Sequence, residues 1–128
     1  LGGEKVMLTS KTKERLGDCN IKRFNTFLNS ITNHEDYRAF SNSVELLNTL
    51  IDKSFSVMLN TPSLSMDSNY NLIINWENEI IGDVEIICYN GRSLQYGNMA
   101  TYEISAKKKD IIIFTTSPKK VINFLIVR

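Results

Sequence analysis

The chain has 128 residues, 42% hydrophobic and 23% charged, a composition that fits one globular domain whose core needs neither metal nor disulfide staples. Its 15 Lys and Arg against 14 Asp and Glu leave a formal charge of +1, which excludes the strong field of a non-specific nucleic-acid coat. The longest apolar runs fall far short of the roughly 20 residues a membrane helix needs, and no signal-peptide pattern is present, so a cytoplasmic protein with no membrane partner is expected.

The chain opens Leu1-Gly2-Gly3 instead of Met. Residues 1–6 are therefore expected to be disordered or a cloning remnant ahead of a native start at Met7. Ile21, Phe24, Phe27, Leu28 and Ile31 recur at helical spacing and predict a first helix over about residues 20–32, capped by Asp18. Tyr37, Phe40, Val44, Leu47, Ile51, Phe55 and Met58 hold the same period for about six turns. Thr32 with Glu35 forms a capping-box pattern at the start of this second helix, and Asn42 with Glu45 offers another start, so Ser41-Asn42-Ser43 is a place for a kink or split. Asn60-Thr61-Pro62 should end it, because the residue before proline is pushed out of helical backbone.

Beyond Pro62 the pattern changes to alternation, the mark of half-buried strands. Leu64 and Met66, a turn at Asp67-Ser68-Asn69, then Leu72, Ile74 and Trp76 predict a hairpin. Val84, Ile86 and Cys88 form the next strand, followed by Asn90-Gly91, a strong hairpin signal because a type I′ turn needs two residues at positive φ. Further strands are predicted over residues 93–96, 100–105 and 110–115, joined by Gly97-Asn98 and by Lys107-Lys108-Lys109. The last segment is open to two readings. Ser117-Pro118 favours a helix start, whereas residues 121–127 are β-branched enough for a strand; the helix is taken. The whole predicts a single α+β domain over residues 1–128. Two or three N-terminal helices pack on one face of an antiparallel β-meander of about five to six strands, with a short C-terminal helix.

Catalytic patterns are lacking. The one histidine, His34, lies between Asn33 and Glu35, where the simpler role is the polar first turn of a helix. Cys19 and Cys88 form no C-x-x-C pair and are expected as reduced thiols in a core. No four-ligand Cys/His set exists for zinc. Glu77, Glu79 and Asp83 around one turn are a carboxylate set for Mg²⁺, although charged turns are most often simply solvated. No Gly-x-Ser-x-Gly, Gly-x-Gly-x-x-Gly or Gly-Lys-Ser/Thr motif is present, so no cofactor is expected. Ile, Asn and Lys, residues of AT-rich codons, are abundant, a bias common in phage and mobile-element genes.

Two sets of residues suit recognition. Tyr70, Tyr89, Tyr96 and Tyr102 fall in or beside strands, where exposed tyrosines anchor protein interfaces. Basic residues gather at Lys11, Lys13 and Arg15, at Lys107, Lys108 and Lys109, and at Lys119 with Lys120. The last two groups are expected at the same end of the sheet, where they would suit nucleic acid; solubilising turns are the plainer account.

With the strands placed, Pro62-Ser63-Leu64, then Asn71-Leu72-Ile73-Ile74-Asn75-Trp76-Glu77, then Val84-Glu85-Ile86-Ile87 with Asn90-Gly91 resemble a loose group of small bacterial and phage proteins. In that group a helical N-terminal half leads through a proline into a hairpin, a strand ending apolar-x-apolar-x-Trp, and a second hairpin. Several members are predicted partners of toxins or are encoded within mobile elements. The resemblance covers about residues 55–96; Asn69-Tyr70-Asn71 stands where the group usually has a glycine turn. It implies no catalytic residues. The expectation is a non-enzymatic protein-binding factor of the antitoxin, immunity or phage counter-defence kind, which occludes a partner such as a toxin or defence protein. Homodimerisation through a sheet edge is equally compatible. The alternatives are a nucleic-acid-binding protein using the lysine turns, or a metal-dependent nuclease.

Overall fold

A computed structural model describes residues 7–52, 62–77, 82–89 and 102–126. Helices α1 (Ser10–Ser30) and α2 (His34–Asp52) precede five strands, β1 (Ser63–Met66), β2 (Leu72–Trp76), β3 (Val84–Cys88), β4 (Tyr102–Ala106) and β5 (Ile111–Thr115), and helix α3 (Pro118–Ile126) follows. The strands form one sheet in the order β1-β2-β3-β4-β5, every neighbouring pair antiparallel. This is the predicted α+β meander, with two N-terminal helices and one short C-terminal helix.

Alternation decides which side of the sheet is core. Leu64, Ile74, Ile86, Ile104 and Ile113 stand opposite one another across the five strands, and Leu72, Cys88 and Tyr102 continue the same face. All but Ile113 are buried, and they share one cluster with Leu16 and Phe24 of α1, Phe40, Val44, Leu47 and Leu50 of α2, and Val121 and Phe124 of α3. Phe24 and Phe40 join the two long helices, their rings 5.4 Å apart and tilted by 32°, the offset geometry that aromatic quadrupoles favour.

The first helix starts ten residues earlier than the apolar stripe predicts. Thr9 caps it, its hydroxyl accepting the Thr12 N–H at 3.2 Å, so the basic cluster Lys11, Lys13 and Arg15 sits on a helix. The stripe loses phase because α1 is kinked at Gly17, with φ 79° and ψ 169°, backbone open essentially to glycine. The kink lies one residue before the predicted cap Asp18. Asn20, buried just beyond it, donates to Leu16 O at 2.9 Å and Pro62 O at 2.7 Å, and accepts Leu64 N–H at 3.3 Å. One amide therefore satisfies a carbonyl beside the break and ties α1 to the start of β1.

The second helix starts one residue later than the Thr32 and Glu35 pattern predicts. Asn33 accepts Asp36 N–H at 2.9 Å, the bond of an N-cap, and its side-chain amide donates to the Asp36 carboxylate at 2.8 Å, which holds the cap in place. The helix runs unbroken through Ser41, Asn42 and Ser43. Ser43 satisfies its hydroxyl internally by donating to Ala39 O at 2.9 Å, so no split occurs. The expected continuation to Met58 lies outside the described residues.

In the β1–β2 turn, Tyr70 adopts φ 63°, the left-handed position where glycine is usual. The Asp67 carboxylate holds it there by accepting Asn69 N–H at 2.9 Å, Asn71 N–H at 3.0 Å and the Asn71 amide at 2.9 Å. The predicted strand over residues 93–96 and the Asn90-Gly91 turn lie outside the described residues. The strand predicted over 100–105 is β4, and Lys107–Lys109 form a single 3-10 turn leading into β5. The C-terminal segment is the helix α3, begun by Ser117, whose hydroxyl accepts Lys120 N–H at 3.3 Å.

Candidate interaction surface

The side of the sheet away from the helices carries two rows set by the same register. Ser65, Ile73, Ile87, Glu103 and Phe114 form one, and Ser63, Asn75, Glu85, Ser105 and Ile112 the other. On β1 to β4 these residues are half-buried, apart from exposed Ser63. On β5, the outermost strand at that side of the described sheet, Ile112 is 59% and Phe114 43% exposed. Two large apolar side chains at i and i+2 of an edge strand are unusual, because such edges are normally blunted by charge.

The tyrosines expected as interface anchors are not brought together. Tyr89 follows Ile87 onto the outer face and donates to the Glu103 carboxylate at 2.6 Å, half-buried. Tyr70 is half-buried in the β1–β2 turn and packs against the core. Tyr96 lies outside the described residues. Tyr102 corrects the expectation outright: at 4% exposure it belongs to the core, because it pairs with Cys88 and Thr115 in the row that faces the helices. Burial pushes its hydroxyl up to about 12, helped by the neighbouring Cys88 and Glu45. Sequence reasoning missed Ile112 and Phe114, which it placed only within a strand over residues 110–115; they are exposed on β5, outermost on that side of the described sheet.

The lysines are corrected too. Lys107, Lys108 and Lys109 precede β5, whereas Lys119 and Lys120 follow it in the first turn of α3. They therefore lie at opposite ends of that strand, not at one end of the sheet, separated by roughly 15 Å of extended chain. Lys107, Lys108, Lys119 and Lys120 are exposed. Beside the first group, Lys107 N–H donates to Asp83 O at 2.9 Å, and Lys107 lines a groove of about 530 Å³ together with Glu77, Asp83, Glu85 and Asp110. The carboxylates offset the lysine charge there.

Cys88 is buried, its thiol pushed up to about 12 by desolvation, with a hydrogen bond to Ser43 working the other way. Cys19 is exposed, contrary to the expectation of two core thiols, because it lies off the Asn20 and Phe24 stripe that faces inward. His34 is exposed at the first position of α2, beside Glu35 and Asp36. Among the described residues no three or more His, Cys, Asp or Glu side chains gather closely enough to hold a metal ion; Glu79 lies outside them. No helix among the described residues is long and apolar enough to cross a membrane. Comparison with protein-family models, curated proteins and solved structures gave no match to this chain.

Proposed function

We propose that this chain is a non-enzymatic protein-binding factor that docks a partner along β5 and the adjoining outer face of the sheet, and acts by covering the partner's working surface. The observation that carries the reading is the exposure of Ile112 and Phe114 on β5, the outermost strand on that side of the described sheet. They stand in line with half-buried Ile73, Ile87 and Tyr89 on the same face. Among the described strands β5 pairs only with β4, so a partner strand laid along it would meet this apolar pair on its outer face, the arrangement by which strand addition sets its register. A cytoplasmic antitoxin, immunity or counter-defence role is the form of such binding suggested by the resemblance over about residues 55–96. Nucleic acid is the weaker alternative, since the lysines at the two ends of β5 form no continuous track.

The test is affinity purification from the native host of the wild-type chain and of the Ile112→Lys/Phe114→Lys double variant. The reading expects a stoichiometric protein with the wild type that is lost with the variant, while the melting temperature is nearly unchanged because both positions are exposed. A partner retained by the variant removes β5 from the interface. Bound nucleic acid released steeply by salt would favour the lysines instead.

A further inference from the structure

Strand β5 lacks the devices that keep sheet edges apart. Over Ile111–Thr115 it holds only apolar residues and a threonine, with no charge, proline or glycine, and among the described strands it has only β4 beside it. A strand of that composition at the side of a sheet invites another strand to join it.

The exposed pair Ile112 and Phe114 is also self-complementary under a two-fold axis. In antiparallel pairing, residues directly opposite each other point to the same side of the sheet. An axis through Ile113 therefore sets Ile112 of each copy opposite Phe114 of the other on the outer face, and Ile111 opposite Thr115 on the inner one. Every residue of both strands is paired in this register. A slip of one residue would set outer side chains against inner ones, and a slip of two pairs fewer residues.

Charge along the strand gives the pairing its direction. At the start of β5, Glu77, Asp83, Glu85 and Asp110 face Lys107 around the groove that Ile112 also lines. Lys108 is exposed in the same turn but lies outside that wall. At the end of β5, α3 opens with exposed Lys119 and Lys120 and has no acidic residue in its first turn. Antiparallel pairing brings the acidic start of each strand to the lysine end of the other, twice by symmetry. A parallel second copy would set carboxylates against carboxylates and lysines against lysines.

We propose that two copies of this chain pair along β5 about a two-fold axis through Ile113, joining their sheets and covering Ile112 and Phe114. Because the pairing uses the β5 edge of both copies, assembly stops at the dimer. The second copy then holds β5 closed until a partner displaces it; this regulatory consequence rests on the reading of β5 as the docking strand, whereas the pairing does not.

Analytical ultracentrifugation of the purified chain alone tests it, across the micromolar range and up to about 0.5 mM. The expected result is a monomer–dimer equilibrium that added salt shifts toward monomer. In a mixture of labelled and unlabelled chain, intermolecular NOEs should connect the Ile112 methyls of one copy with the Phe114 ring of the other. Ile112→Lys/Phe114→Lys should stay monomeric throughout. Lys119→Glu/Lys120→Glu leaves the apolar pair untouched and places acid at a helix start, where the fold tolerates it; its dimer should be at least roughly tenfold weaker. A wild-type monomer over the whole range, growth beyond the dimer, a dimer indifferent to the lysine reversal, or NOEs that place the contact elsewhere would each overturn the proposal. A monomer that still captures a protein partner through β5 would overturn self-pairing and leave the docking reading standing, while a β5 dimer that captures none would do the reverse.

Discussion

Two glycines show how the same residue type answers different physical demands. Gly17 and Gly82 share φ 79°, but a Cβ on Gly17 would meet nothing within 4 Å, whereas one on Gly82 would stand 2.6 Å from Lys108 Cβ and 2.7 Å from Lys108 N. Gly17→Ala should therefore carry only the penalty of its own backbone conformation, roughly 1–3 kcal/mol, and Gly82→Ala more than Gly17→Ala, because the Lys108 backbone must also move. Urea denaturation of the two variants checks the order; equal losses would mean that the approach of residue 82 to Lys108 does not constrain the fold. Neither glycine's role was legible from its neighbours alone. Gly17 follows a run that reads as merely basic, and the contact at Gly82 spans 26 positions along the chain.

At the level of elements, the apolar periods were the most legible feature. The switch from steps of three and four to alternation at Pro62 divided helices from strands correctly, since each period corresponds to one face of one kind of backbone. Element ends were less legible, because several polar residues compete for each cap and only the backbone geometry chooses among them. The start of α2 is a case that mutation can decide. Asn33 makes both hydrogen bonds of the cap with Asp36, whereas Thr32 is exposed. Asn33→Ala is expected to destabilise by about 2 kcal/mol and Thr32→Ala by a few tenths at most, roughly the surface range. Thermal melts of the pair give the comparison, and a larger loss at Thr32 would move the cap back to the pattern read from sequence. In the same way, the Ser41-Asn42-Ser43 run looked like a break only because its hydroxyl bond back to Ala39 cannot be seen without the helix around it.

For the molecule as a whole, the buried groups beneath α2 predict how stability responds to pH. Cys88 and Tyr102 ionise in the folded chain only near 12, against ordinary values of 9.0 and 10.0. Unfolding above pH 9 therefore releases protons, and the stability these neutral groups contribute, complete below pH 9, is lost as pH rises toward 12. Chemical denaturation at pH 8 and pH 10.5 should show a lower midpoint at the higher pH, with a smaller drop in Cys88→Ala. A thiol reagent at pH 8 should meanwhile modify Cys19 in the native chain and reach Cys88 only after unfolding. Rapid labelling of both thiols would contradict the burial of Cys88.

Composition, hydrophobic period and turn chemistry were enough to determine the α+β class and the meander, because those features depend on residues near one another in the chain, but they left the C-terminal segment open between helix and strand until the structure showed α3. The recognition surface was not determined in that way. Tyr102 reads like Tyr89, yet register places one under the helices and the other on the outer face. Ile112 and Phe114 read like Ile73 and Ile87, yet they are exposed because β5 has only β4 beside it in the described sheet. Exposure at a sheet edge depends on which strand comes last in space, and the pairing of distant strands decides that order.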